Sequence, residues 1–264
     1  MSLPLLKEAL FNRPKFYSMD LNIKQTSDEL HPLLQKALVS RSAVYNMDCV
    51  EFMRLVPDKF FHLAIVDPPY SVGASNGSFG RGGAKSKIKE VKKDLVHYAN
   101  HNETPNKEYF DELFRVSKNQ IIWGANYYPE YLQHSGWIVW DKKKSDGLLS
   151  EAELAYQSIN KVVKIFRHEW EGFRKGKGSF KHSLKEIIHP NQKPVSLYKC
   201  CLQNYATKGD LILDTHLGSG SSRIASKEMG FDFVGIELHK EYYEKQEERW
   251  NNFIAQQSLW YYYG

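Results

Sequence analysis

The stretch from Leu211 to Glu237 constrains the fold of this chain more than any other. Leu211-Ile212-Leu213 is a short apolar run, of the kind that fills a strand buried on both faces, and it ends on Asp214. Thr215-His216-Leu217-Gly218-Ser219-Gly220 follows as a glycine loop. Residues 221–229 carry a helical pattern closed by Gly230, and residues 231–236 form a second apolar run that ends on Glu237. Strand, helix and strand in this order make a βαβ unit, whose two strands lie parallel. Glycine lets a backbone approach a ligand closely, and an acid at the second strand's tip can accept both hydroxyls of a ribose. The spacing Gly218-Ser219-Gly220 is not the six-residue dinucleotide fingerprint, and nothing nearby resembles a pyrophosphate cradle. The unit therefore predicts a cofactor that carries adenosine and no phosphates; the plainer alternative is helix–strand packing.

A second strand tip stands earlier in the chain. Phe61-His62-Leu63-Ala64-Ile65-Val66 reads as a buried parallel strand, and Asp67-Pro68-Pro69-Tyr70 follows it. Open α/β sheets bind ligands outside the carboxyl ends of their strands. Proline has no N–H, so this loop cannot extend the sheet, and its carbonyls are expected to be free acceptors. A carboxylate, a bare carbonyl and an aromatic face suit a flat ring with an exocyclic amino group, such as a nucleobase. The four residues alone equally allow an ordinary strand-ending turn.

The remaining pattern alternates in the same way. A strand at 43–47 ends at Asp48, and a helix at 49–55 is stopped by Pro57. Phe110, Leu113 and Phe114 make a helical stripe, and strands are predicted at 120–123 and 137–140. Residues 153–157 and 162–166 read as strands joined by Ser158-Ile159-Asn160-Lys161 into an antiparallel hairpin. Val195, Tyr198, Leu202 and Tyr205 mark a helix that starts at Pro194 and ends by Gly209, and a final helix spans 240–253. Leu5, Leu6, Ala9 and Leu10, then Leu30, Leu33, Leu34, Ala37 and Leu38, suit two short amphipathic helices. Residues 1–40 are therefore predicted to form a peripheral helical cap on a single domain spanning 1–264. Asp141 and His189 read as turn residues, and Asn126 as a strand-ending residue near the active edge.

Composition narrows the partners. The chain of 264 residues is 42% apolar, enough for a substantial core. Its 36 Lys and Arg against 31 Asp and Glu leave a net charge of +5. The excess is mild but clustered. Arg81, Lys85, Lys87 and Lys89 fall in a glycine-rich loop at 71–105, and Arg174, Lys175, Lys177 and Lys181 in a segment at 167–188. Each run alone suits a solvated face; interleaved with Gly, Ser and Phe, both suit mobile contacts to nucleic acid. Cys49, Cys200 and Cys201 have neither disulfide nor metal-ligand spacing, so reduced thiols in a cytoplasmic protein without a metal are expected. No apolar run approaches membrane-spanning length.

Taken together, the segments resemble the S-adenosylmethionine-dependent amino-group DNA methyltransferases in their β-class motif order. Asp67-Pro68-Pro69-Tyr70 is similar to that family's catalytic motif of the adenine-N6 type. His189-Pro190-Asn191-Gln192-Lys193-Pro194 is similar to the segment preceding the cofactor unit. Asp214 with Gly218-Ser219-Gly220 is similar to the glycine loop, and Gly235-Ile236-Glu237 to the ribose-binding acid. Asp48 matches the acid that meets the cofactor's adenine. The catalytic motif precedes the glycine loop, which is the permuted order, and the resemblance covers residues 43–254.

The resemblance implies a doubly wound, mostly parallel, seven-stranded Rossmann-like α/β sheet with one antiparallel hairpin. It implies S-adenosylmethionine held by Asp48, Asp67, Lys193, Asp214, Thr215, His216, Gly218, Ser219, Gly220 and Glu237, with Lys193 on the methionine carboxylate. Asp67, Pro68, Pro69 and Tyr70 would act on an adenine flipped out of double-stranded DNA, the first two accepting its N6 protons and Tyr70 stacking on the ring. Residues 71–105 and 167–188 would touch the DNA, and a homodimer would be in keeping with β-class relatives. One departure stands out. The family usually has Pro-Phe where this chain has Thr215-His216, either a ring-for-ring exchange or the mark of a weakened cofactor site. Cytosine-N4 or RNA adenine methylation and a catalytically silent DNA-binding protein are the alternatives. Asp67 favours adenine, since the cytosine subgroup typically carries Ser there.

Overall fold

Apolar runs become strands and the periodic segments between them become helices. The computed structural model describes residues 30–70, 104–133, 135–143, 150–168, 188–189 and 191–263. Among these residues the order is α1 (Pro32–Ser40), β1 (Ser42–Asn46), α2 (Cys49–Arg54), β2 (Phe61–Val66), α3 (Lys107–Val116) and β3 (Ser117–Trp123). Two 3-10 turns (Ala125–Tyr127 and Pro129–Tyr131) then lead to β4 (Gly136–Asp141), β5 (Ala152–Gln157) and β6 (Val163–Arg167). The chain closes with α4 (Val195–Tyr205), β7 (Leu211–Asp214), α5 (Ser221–Glu228), β8 (Asp232–Glu237) and α6 (Lys240–Tyr263).

The strands form one sheet in the order β1-β8-β7-β2-β3-β5-β4-β6. Pairing is parallel except at β5, which runs against both of its neighbours. Successive residues of a strand face opposite sides, so Ala64 and Val66 join one apolar layer while Leu63 and Ile65 join the other. The first layer is covered by Leu34 of α1, Phe52 and Met53 of α2, and Phe110 and Leu113 of α3. The second is covered by Leu197, Cys201 and Leu202 of α4 and Ala225 of α5. Fully burying one such large side chain stabilises the fold by about 1.5–3 kcal/mol. Helices on both faces of a mostly parallel sheet make the predicted doubly wound α/β fold.

Three expectations are corrected here. Among the described residues the sheet has eight strands, not seven. The strands at 153–157 and 162–166 exist but do not pair with each other. β5 pairs antiparallel with β4, and β6 lies parallel on the other edge of β4. The short connection must therefore pass across the start of β4, and it does so over Gly136. A Cβ at Gly136 would stand 1.8 Å from Gln157 Nε2, 2.4 Å from the Asn160 carbonyl oxygen and 2.5 Å from that of Val162. Gln157, fully buried, ties the crossing together through the backbone of Ile159, Asn160 and Val162. Finally, α1 is a layer of the core and not a peripheral cap: Leu34 is fully buried, and the Tyr45 hydroxyl donates to the Leu33 carbonyl at 2.5 Å. The first of the two expected helices lies outside the described residues.

β2 and β7 are neighbours, in register at Leu63–Ile212 and Ala64–Leu213. From this pair the chain steps outward in opposite directions, β2 to β3 and β7 to β8, so the carboxyl ends of β2 and β7 flank the switch point of the sheet, where open α/β folds place their ligands. Asp67 and Asp214 stand at those two tips.

Candidate active site

The Asp67-Pro68-Pro69-Tyr70 loop is held from the next strand over. The buried Tyr128 hydroxyl donates to the Pro68 carbonyl at 3.0 Å and the Pro69 carbonyl at 2.6 Å. The expectation of bare proline carbonyls is thus corrected. Tyr128 fixes them, and each retains a second lone pair for a ligand. Tyr70 packs against Gly124, which is left-handed (φ 67°) and whose Cβ, if present, would lie 2.5 Å from Tyr70 Cε1. That close approach explains the glycine at the end of β3. Tyr70 also stacks on Tyr127, with ring centroids 4.4 Å apart and planes 9° from parallel. Asn126 is exposed beside it.

Asp67 sits in a chain of buried charges. Its Oδ2 accepts a hydrogen bond from Lys193 Nζ. Lys193 Nζ is 3.3 Å from Glu153 Oε2, and Lys142 Nζ is 2.5 Å from Glu153 Oε1. Asp67 Oδ1 is buried and accepts no hydrogen bond among the described residues. Burial pushes the Asp67 carboxyl above the usual carboxylate range, against the pull of Lys193. Burial works against the Lys193 ammonium, yet Asp67 and Glu153 outweigh it and hold its pKa well above normal. Burial would also raise Glu153, but Lys193 and Lys142 together keep it lowered and ionised. Lys193 is therefore paired with two carboxylates, Asp67 at the tip of β2 and Glu153 on β5, while lining the cavity.

The glycine loop forms the other half. Glu237 accepts from the backbone N–H of Gly218 and of His239, each at 2.8 Å, so the acid at the tip of β8 anchors the loop it faces. Burial raises its pKa, against those amide bonds. Asp48 Oδ1 caps α2 by accepting from the N–H groups of Val50 and Glu51 at 2.8 and 2.9 Å. Asp214 is fully buried, accepting from Ser222 Oγ at 2.5 Å and from the His216 N–H at 3.0 Å, and burial pushes its pKa up to about 7. Thr215 links two rings: its Oγ1 is 2.7 Å from the Tyr109 hydroxyl and 3.0 Å from His216 Nδ1. The Tyr109 and His216 rings meet edge to face at 5.2 Å. His189 is a turn residue, as expected: its Nδ1 accepts from the Asn191 N–H, and its ring packs on Tyr242. Asp141 likewise turns the chain by accepting from the Lys143 N–H.

A cavity of about 350 Å³ runs between the two halves. Asp48, Asp67, Pro69, Lys193, Thr215, His216, Gly218, Ser219 and Glu237 all line it. Asp214 and Gly220 are not among its lining residues; they shape the loop from behind. Pro68 and Tyr70 lie outside the lining, beyond Asp67. Tyr109 and Asn106 complete the wall, which the sequence pattern did not single out. Nor did it single out Lys142, Glu153, Tyr127 or Tyr128. For Glu153 a signal existed: it shares a strand face with Ala155 and Gln157, so period-two alternation put a charge on an inward position.

His216 stands where the resemblance leads one to expect an aromatic ring, and it lines the cavity. Burial pushes its pKa down to about 4 and that of His189 down to about 3, so both are neutral rings near pH 7. A depressed histidine leaves stability unchanged above its unfolded pKa of about 6.5 and removes stability as pH falls from there towards its folded pKa. His216→Phe is expected to keep cofactor binding within a few-fold. It should also flatten the acid limb of the stability curve between pH 6.5 and 4, by about 1.4 kcal/mol per pH unit. Urea melts across that range, with calorimetric titration of the cofactor, check both.

Arg81, Lys85, Lys87, Lys89, Arg174, Lys175, Lys177 and Lys181 lie outside the described residues. Among the described residues no cluster of three or more metal-ligating side chains occurs, and no helix is long and apolar enough to cross a membrane. Residues 96–248, more than half of the chain, match the family described as DNA methylase, with N6 and N4 amino-methyltransferases as its members. The chain belongs to the N6/N4 DNA methylase family. This methylase is 22% identical to the type II methyltransferase M1.MboII of Moraxella bovis, over 81% of its own length and 96% of that protein. A crystal structure of M1.HpyAVI in complex with SAM superposes with a TM-score of 0.46 at 18% identity, covering 79% of the methylase and 98% of that chain. The cytosine-N4-specific PvuII DNA methyltransferase gives 0.49 at 11% identity, covering 77% and 84%.

Proposed function

We propose that this DNA methyltransferase is site-specific, uses S-adenosylmethionine and methylates N6 of adenine in double-stranded DNA. The observation that carries the reading is that Asp67 lines the cavity while its buried Oδ1 has no hydrogen-bond partner among the described residues. A buried acceptor without a donor costs free energy unless a ligand supplies one, and an exocyclic amino group does so.

The residues present fit the cofactor. The cavity's volume is within the range of small-molecule sites. Glu237 can accept ribose hydroxyls on the lone pairs its amide bonds leave, Asp48 stands at the adenine end, and His216 with Tyr109 offers an aromatic wall. When bound, the cofactor supplies an electrophilic methyl group. Asp67 Oδ1 accepts one N–H of the target amine, and the Pro68 carbonyl, oriented by Tyr128, accepts the other. Two acceptors aimed at the amine draw its nitrogen towards tetrahedral geometry and free its lone pair from the ring, so the site acts by positioning and electrostatics. Lys193 holds Asp67 by its other oxygen. Asp67, with a carboxyl only raised by burial, is not a base able to deprotonate an arylamine beforehand.

The test is transfer of labelled methyl from S-adenosylmethionine to unmethylated DNA, followed by mass spectrometry of the product nucleosides. N6-methyladenine is expected. N4-methylcytosine as the product would overturn the base assignment and leave the family intact.

A further inference from the structure

The stack between Tyr70 and Tyr127 places a ring where the target base is expected to lie. We propose that Tyr127 is an internal stand-in for the flipped base: it covers Tyr70 in the free protein and is displaced when the base enters. The inference rests on the proposed function, because it takes Tyr70 as the base's stacking surface.

The geometry leaves no alternative seat between the two rings. At a centroid separation of 4.4 Å and 9° between planes, Tyr70 and Tyr127 are in direct face contact. A base slid between them would need about 7 Å, two stacking distances of about 3.4 Å. The ring of Tyr70 is also pressed against the Gly124 backbone. The same turn therefore touches Tyr70 twice, once through fixed main chain and once through a side chain that can rotate.

Two further features mark Tyr127 as the part that moves. It is 42% exposed, whereas Tyr128 beside it is fully buried and bonded to the proline carbonyls. One residue of the turn is thus locked into the loop while its neighbour reaches solvent. Tyr127 is also absent from the lining of the cavity, so its departure opens the acceptor side and leaves the cofactor side in place. The device makes base entry an exchange of one stack for another. A base that cannot also donate to Asp67 regains no more than it displaces.

An aromatic pair of this kind is worth a factor of about two to ten in an equilibrium. Tyr127→Ala should therefore lower KM for DNA about two- to tenfold without lowering kcat, because the seat no longer has to be cleared. Tyr127→Trp, with a larger ring, should raise KM. The experiment measures label transfer from S-adenosylmethionine to long unmethylated DNA of mixed sequence, which contains the recognition site whatever it is. Calorimetry alongside should show cofactor affinity unmoved in both variants. An unchanged or raised KM in Tyr127→Ala, or loss of cofactor affinity, overturns the proposal and points to a wall or packing role. A wild-type protein that transfers no label overturns the functional reading itself, a distinct result.

Discussion

Asp67→Ala is expected to lower methyl transfer by about 10²–10³-fold, the loss seen when one preorganised hydrogen-bonding group is removed from a transition state. The fold should survive, because Lys193 keeps Glu153 as its partner at 3.3 Å. Cofactor affinity is expected to change much less, since Glu237 and Asp48 also line the cavity and are untouched by the substitution. Asp67→Asn is the more informative variant. Its amide oxygen must turn towards the Lys193 ammonium, which can only donate. The amide NH₂ then points at the place of Oδ1 and meets the N–H of the incoming amine, donor against donor. Asparagine should thus be as damaging as alanine despite its matching shape. Single-turnover transfer with saturating cofactor reads the effect directly. An Asp67→Asn protein retaining more than about a tenth of wild-type transfer would sink the mechanism.

What the sequence disclosed about this site was what its apolar runs end on. Buried strands announce themselves by continuous apolar residues, and the residues after them, Asp48, Asp67, Asp214 and Glu237, fall at strand tips because the runs stop there. In a parallel sheet, tips lie on one edge, so four acids far apart in the chain became candidates for one site. Contacts made sideways were not legible. Tyr128 reaches the proline carbonyls from sixty residues away, and no local spacing encodes that. The protein partners of Lys193 were hidden for the same reason, since they come from β2's tip and from β5, on two separate segments. The hairpin at 153–166 failed for a related reason. Turn chemistry predicts a reversal but not which strand lies alongside, and the deciding signal was a missing Cβ at Gly136, outside the hairpin.

Lys193→Met should cost about 3–5 kcal/mol of stability near neutral pH, the usual penalty for leaving a buried charge without its partner. The lysine side chain is 5% exposed and serves two carboxylates. Its loss is not shared equally between them. Glu153 keeps Lys142 at 2.5 Å, whereas Asp67 has no other cation in contact among the described residues. Asp67 thus bears most of the penalty, and its carboxyl, already raised by burial, rises further once the opposing pull of Lys193 is gone. The sign of the pH dependence follows. A carboxyl raised in the folded state favours folding while protonated, and that advantage is lost as pH climbs through its folded pKa. The deficit of Lys193→Met against wild type should therefore grow with rising pH and shrink towards acid. Adding Asp67→Asn, which removes the stranded charge, should recover a large part of the loss, a coupling that independent sites would not show. Urea denaturation of the wild type, both single variants and the double variant from pH 5 to 8 separates the cases. A deficit that stays constant with pH and is simply additive in the double variant would mean that Lys193 contributes packing, and that Asp67 is not the charge it neutralises.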